Sequence, residues 1–173
     1  MPFTPYHFGP SGCVALALRK YIDIPVFVLV NVVIDLEPGI VLAFDLNYRL
    51  HGYCHTFLFG TVIGLMWGLV AYAARNSLKR LMELFGLPYQ TSLGKATLSG
   101  LLGIWFHILI DSFCWSDIRP FWPSDANPLN NLTTLNTMCL LCAISFIPAI
   151  VLYVIAVRSH IREDKRERVD GNT

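Results

Sequence analysis

Phe57-Leu58-Phe59-Gly60-Thr61-Val62-Ile63-Gly64-Leu65-Met66-Trp67-Gly68-Leu69-Val70-Ala71-Tyr72-Ala73-Ala74 carries no charged residue. A run of this length and apolarity reads as a helix that crosses a membrane. Gly60, Gly64 and Gly68 recur every four residues, which lays a smooth strip along one helix face and suits close packing against another helix. Two further spans are predicted. One runs from Asn136 to Val157, with a kink at Pro148. The other runs from about Leu93 to Phe113 and ends in His107 and Asp111.

The rest of the chain agrees with a membrane protein. Of 173 residues, 54% are hydrophobic and 14% charged, against about 25% charged in an average soluble domain. A formal net charge of +1 implies no nucleic-acid footprint. The opening Met1-Pro2-Phe3-Thr4-Pro5 has no basic n-region, so no cleavable signal peptide is expected. His7 to Arg19 and Ile22 to Ile34 are apolar but short, and predict a helical hairpin turning at Arg19-Lys20-Tyr21. Asp35-Leu36-Glu37-Pro38-Gly39 is predicted to break the second of these helices, leaving a short apolar piece over 39–50. The expected fold is an all-α polytopic membrane helical bundle of about five helices, including this short hairpin. Residues 1–157 form one membrane-embedded domain, and 158–173 a charged cytoplasmic tail.

Orientation follows from the basic residues, which concentrate on the cytoplasmic side. If the helices alternate in direction, eleven of the thirteen Lys and Arg residues share one side, and only Arg49 and Arg119 lie opposite. The expected location is therefore the plasma (inner) membrane, multi-pass, with the N-terminus outside and the C-terminus cytoplasmic. His7, Asp35, Glu37, His51, His55, His107 and Asp111 then fall together on the outer side. Ionisable groups are expensive within a bilayer, so their gathering at one depth marks a functional site.

His51/His55 and His107/Asp111 are spaced four apart, one helical turn, so each pair can grip one metal if locally helical. A mixed nitrogen and oxygen set suits Zn, Mn, Fe or Ni better than Mg or Ca. Zn or Mn is expected, as one or two ions, and a two-metal site with open positions is the arrangement of metal-assisted hydrolysis. Glu37 or Asp117 would take the proton from the activated water. Arg119, eight residues after Asp111, either pairs with the carboxylates or binds a phosphate or carboxylate of a substrate. The zincin motif is absent, since no Glu follows His51. The five cysteines include the pair Cys139/Cys142 inside an apolar run, read as buried and inert. Cys54 and Cys114 flank the candidate ligands as packing residues, further ligands or a disulfide. Phe121 and Trp122 suit the membrane interface.

Taken in order, several motifs resemble a family. They are the opening from Pro2 to Pro10 with His7, the Asp35-Leu36-Glu37-Pro38 segment, His55-Thr56 before a helix, and His107-x-x-x-Asp111 followed by Arg119-Pro120-Phe121-Trp122-Pro123. Over residues 2–123 the chain resembles the YdjM-like membrane-bound metal-dependent hydrolases. The resemblance implies an inner-membrane hydrolase distantly similar to zinc-dependent phospholipases C, with His7, Asp35, His55, His107 and Asp111 as metal ligands. Many members space the first two histidines by five; here His51 and His55 are four apart. The function expected is metal-dependent hydrolysis, with membrane lipid as the environment and a lipid-linked phosphoester at the outer face as substrate. The alternative is a non-catalytic metal-binding membrane protein: a transporter, a sensor or a structural site.

Overall fold

The computed structural model describes residues 4–170, and these contain α-helices, one 3-10 turn and no strand. Pro2 and Phe3 of the opening motif and the last three residues of the tail lie outside them. The helices are α1 Thr4–Ala17, α2 Ile24–Ile34, α3 Leu36–Ala43, α4 Phe57–Ala73, α5 Arg75–Leu84, α6 Leu93–Ser112, α7 Leu135–Ile144 and α8 Phe146–Asp170. The 3-10 turn, Tyr53–His55, precedes α4.

Three stretches are long and apolar enough to cross a membrane: Ile24–Ala43, Leu93–Ser112 and Leu135–Arg166. A fourth exists if α4 and α5, bent by 78° at Ala74, count as one broken span. The outward faces are apolar too, with Leu58, Val62 and Met66 exposed on α4 and Ile147, Ile150 and Val151 on α8. A contiguous apolar surface of this kind suits contact with hydrocarbon. α5 differs in kind: Leu78 and Met82 are buried while Arg75, Lys79 and Arg80 are exposed, the pattern of a helix lying along an interface.

The expected break at Asp35-Gly39 is a single-residue junction, and the stretch continues as helix to Ala43. Pro38 falls in the first turn of α3, where a helix tolerates a missing N–H. Asp35 stays tied into both segments: its N–H donates to the Asn31 carbonyl at 3.3 Å, and its carbonyl accepts from Gly39 N–H at 3.0 Å. Pro148 falls in the first turn of α8. The last span divides at Ser145, three residues before it, into α7 and α8.

The longest seam in the bundle joins α4 to α6, and the glycine strip makes it. A Cβ at Gly64 would stand 2.8 Å from the Gly100 carbonyl oxygen, and one at Gly68 2.8 Å from that of Ala96. Only residues without a side chain let the two backbones approach this closely. α2 packs on the same helix, Val30 and Ile34 meeting Ile104 and Ile108 in one apolar cluster, and α1 packs on α2 and α8. The indole N–H of Trp67 donates to the Val26 carbonyl at 2.9 Å and ties α4 to α2. These contacts bring the start of α1, the α2/α3 junction, the 3-10 turn and the end of α6 to one end of the bundle.

Candidate metal centre

Asp35, His55, His107 and Asp111 are all buried, and each offers one ligand atom within 4.8 Å of the other three. Among the described residues this is the group of His, Cys, Asp or Glu placed to hold a metal ion. The α2/α3 junction supplies Asp35, the 3-10 turn His55, and α6 both His107 and Asp111. His107 and Asp111 share one face of α6 as their spacing predicts, with Nε2 and Oδ2 3.1 Å apart. The Asp35 carboxylate reaches between the imidazoles, with Oδ1 3.3 Å from His107 Nε2 and 3.8 Å from His55 Nε2.

The polarity of the imidazoles is set from behind. His107 Nδ1 donates to Asn31 Oδ1 at 3.0 Å. The Asn31 amide nitrogen itself donates to the Val28 carbonyl at 2.7 Å, which leaves Oδ1 as the acceptor. His55 Nδ1 donates to Glu37 Oε2 at 3.1 Å, and His51 Nδ1 to Asp117 Oδ1 at 3.0 Å. A proton held at Nδ1 leaves the Nε2 lone pair free for a metal, which is how outer carboxylates and amides orient metal-binding histidines. In each of the three rings Nε2 is buried and makes no hydrogen bond, and the same holds for Asp111 Oδ2. Buried polar atoms that converge without bonding one another form an arrangement that a divalent cation would satisfy. The residues present therefore fit a divalent ion.

The carboxylates also set the electrostatics of the site. Burial disfavours a protonated His55, yet the Asp35 and Glu37 carboxylates outweigh it and raise its pKa above the ordinary histidine value. Burial likewise works to raise the Asp117 carboxyl, and the hydrogen bond from His51 holds it below the usual range. Cys54 and Cys114 are half-buried free thiols, and burial pushes both pKa values up to about 11. No disulfide joins them, and neither belongs to the group of four.

His51 and His7 flank the group of four. The His51 ring lies 4.8 Å from that of His55, and His7 stacks on His107 at 4.2 Å with its Nε2 3.0 Å from Asp111 Oδ1. The expected helical geometry of the His51/His55 pair is not what joins these rings. The segment is irregular, and two acids fold it. Glu37 accepts from the backbone N–H of Gly52 at 3.1 Å and of Cys54 at 3.4 Å, while Asp117 accepts from that of His51 at 3.0 Å. Glu37 and Asp117, expected from the sequence to take a proton, contact the Nδ1 atoms of His55 and His51. Glu37→Ala is expected to weaken metal binding about 10–100-fold while every candidate ligand stays in place. Titration of the purified protein with Zn or Mn measures this, and an unchanged affinity would remove Glu37 from the centre.

Arg119 pairs with Asp125 and not with the buried carboxylates. It also lines a cavity of about 340 Å³ beside His51, with Arg49, Tyr48, Asn47 and Trp122. The Asp117–Pro123 loop closes over the start of α4: Phe57 N–H donates to the Pro120 carbonyl, and Phe121 and Trp122 pack on Phe57 and Phe59. Asn31 is the member of the site that sequence spacing did not suggest. Its signal was an amide in the middle of the apolar run Val26 to Ile34. Comparison with known protein families, with curated proteins and with solved structures finds no match, so what this centre does is read from its own geometry.

Proposed function

We propose that this chain is a membrane-embedded metal-dependent hydrolase, of the kind the YdjM-like resemblance implies, acting on a lipid-linked phosphoester at the outer membrane face. One observation carries the metal half of this reading. His55 and His107 each turn Nδ1 to a fixed acceptor, and their Nε2 atoms are buried without a hydrogen bond beside Asp35 and Asp111, with the His51 ring packed against that of His55. Asp35, His55, His107 and Asp111 hold one ion. His51 and His7 extend the set toward a second.

Bound there, Zn or Mn supplies Lewis-acid activation of water and of a phosphoryl oxygen. The chain's residues do the rest. Glu37, Asn31 and Asp117 fix the imidazole tautomers. His51 forms the wall between the buried group and the 340 Å³ cavity, and Arg49 and Arg119 line that cavity with positive charge suited to a phosphate. Between the buried group and the far end of the bundle, Val26, Phe27, Val30 and Ile104 fill the core with apolar side chains.

The test is metal analysis of the purified protein, followed by hydrolysis assays on phospholipids and isoprenoid phosphates. The expected result is one or two ions per chain, and phosphoester cleavage that chelation abolishes and added metal restores. Full metal loading without cleavage of any of these substrates would leave a metal-binding protein and end the hydrolase reading.

A further inference from the structure

The opposite end of the bundle contains a second constructed feature that the metal centre does not use. A cavity of about 460 Å³ opens between the α1–α2 turn, the approach to α6 and the charged half of α8. Arg19, Lys20 and Lys95 line it. Two carboxylates are also present. Asp23 is committed: its Oδ1 accepts from Val26 N–H as the N-cap of α2, and its Oδ2 accepts from the Tyr89 hydroxyl at 3.0 Å. Glu163 is exposed on α8. Lys95 Nζ donates to the carbonyls of Arg19 and Gln90, which spends two of its three donors and aims the ammonium at this spot. Three cations therefore face two carboxylates, and Arg158, Arg162 and Arg166 line a neighbouring cavity, so basic groups are in excess at this end of the bundle.

A second cavity of about 340 Å³ adjoins the first, and the two share Ile24, Pro25, Met82 and Leu87 as lining. Its lining is apolar apart from the Tyr153 hydroxyl, which donates to the Phe85 carbonyl at 2.7 Å. Along α1 it is bordered by Leu16, Gly12 and Phe8. These recur every four residues, so the groove runs about 12 Å along the helix, away from the basic end. Gly12 forms part of this wall for a reason other than helix approach. A Cβ there would meet nothing closer than the Ala149 Cβ at 3.8 Å, an ordinary contact. What the missing side chain leaves is room in the groove.

We propose that this end of the bundle binds one anionic phospholipid of the surrounding bilayer, with its headgroup among Arg19, Lys20 and Lys95 and an acyl chain in the apolar groove beside them. A basic pocket continuous with an apolar groove matches the two halves of such a lipid, and basic pockets between membrane helices are where acidic headgroups dock. α5 is the element that connects the halves. Its bend of 78° from α4 carries Leu81 and Met82 beneath the groove while its basic face stays at the interface. The site stands apart from the metal centre and does not depend on the hydrolase reading.

The experiment is native mass spectrometry of the full chain in detergent, with phosphatidylglycerol or phosphatidylcholine of identical acyl chains added at equal ratio. One phosphatidylglycerol retained per chain is expected, in preference to phosphatidylcholine by more than about tenfold. Arg19→Gln and Lys20→Gln are each expected to reduce that preference about fivefold. Lys20 is exposed, so its variant tests the headgroup contact without disturbing the core. Gly12→Leu fills the groove and is expected to lower retention of both lipids at least tenfold. Equal retention of the two lipids by the unmodified chain overturns the proposal. So does a preference that survives the double Arg19→Gln/Lys20→Gln variant, or full retention by Gly12→Leu.

Discussion

Replacing His107 by alanine is expected to reduce bound metal from one or two ions per chain to background, a loss of affinity above about 100-fold. Substitution behind a ligand already weakens metal binding by about 10–100-fold, and His107 is a ligand itself. Its Nε2 faces both buried carboxylates, at 3.3 Å from Asp35 and 3.1 Å from Asp111. Its Nδ1 is anchored to Asn31, so the ring has no other orientation to adopt. Removing it also opens a cavity in a buried part of the bundle, which is destabilising in its own right. Asp35→Asn separates the two effects. It removes one buried charge at constant shape, so metal is expected to fall sharply while helical content holds. Plasma mass spectrometry on protein of verified helicity reads the outcome. A His107→Ala protein that still carries stoichiometric metal would sink the assignment of this centre.

Gly64→Leu is expected to prevent the bundle from closing. The added Cβ would lie 2.8 Å from the Gly100 carbonyl oxygen and 2.9 Å from the Leu101 Cα, both backbone atoms that cannot rotate aside. Overpacking a core typically destabilises by about 1–3 kcal/mol, and a wedge between two backbones belongs at or above the top of that range. The damage reaches the metal centre, because α6 carries His107 and Asp111 and the start of α4 adjoins His55. Gly94→Ala is the matched control. Nothing lies within 4 Å of a Cβ at Gly94, near the start of α6, so its melting temperature is expected to stay within a degree or two. Thermal unfolding in detergent compares the two. Equal melting temperatures for Gly64→Leu and the unmodified chain would mean that α4 and α6 do not meet along this strip.

Local spacing was a good guide wherever one helix carries both partners. His107 and Asp111 lie on α6 and meet as a one-turn pair should. Gly60, Gly64 and Gly68 lie on α4 and form the strip their period implies. It misled where the backbone is irregular. His51 and His55 meet because Glu37 and Asp117 capture backbone N–H groups around them, and both captures span long sequence separations. The placement of those two acids was illegible for the same reason. A carboxylate in a polar cluster can take a proton or orient an imidazole, and only the identity of its neighbours decides which.

The amino-acid sequence by itself determined the apolar helices, their close-packing face, and the gathering of histidines and acids toward one end. These follow from hydropathy and from the period of a helix, which are properties of neighbouring residues. Only the tertiary structure decided that Asp35, His55, His107 and Asp111 form the inner group, that Asn31 belongs to it, and that Glu37 and Asp117 stand behind the rings. A metal site is defined to within about 0.2 Å by atoms from separate segments. That precision comes from helices packed against one another, and no spacing along a single segment contains it.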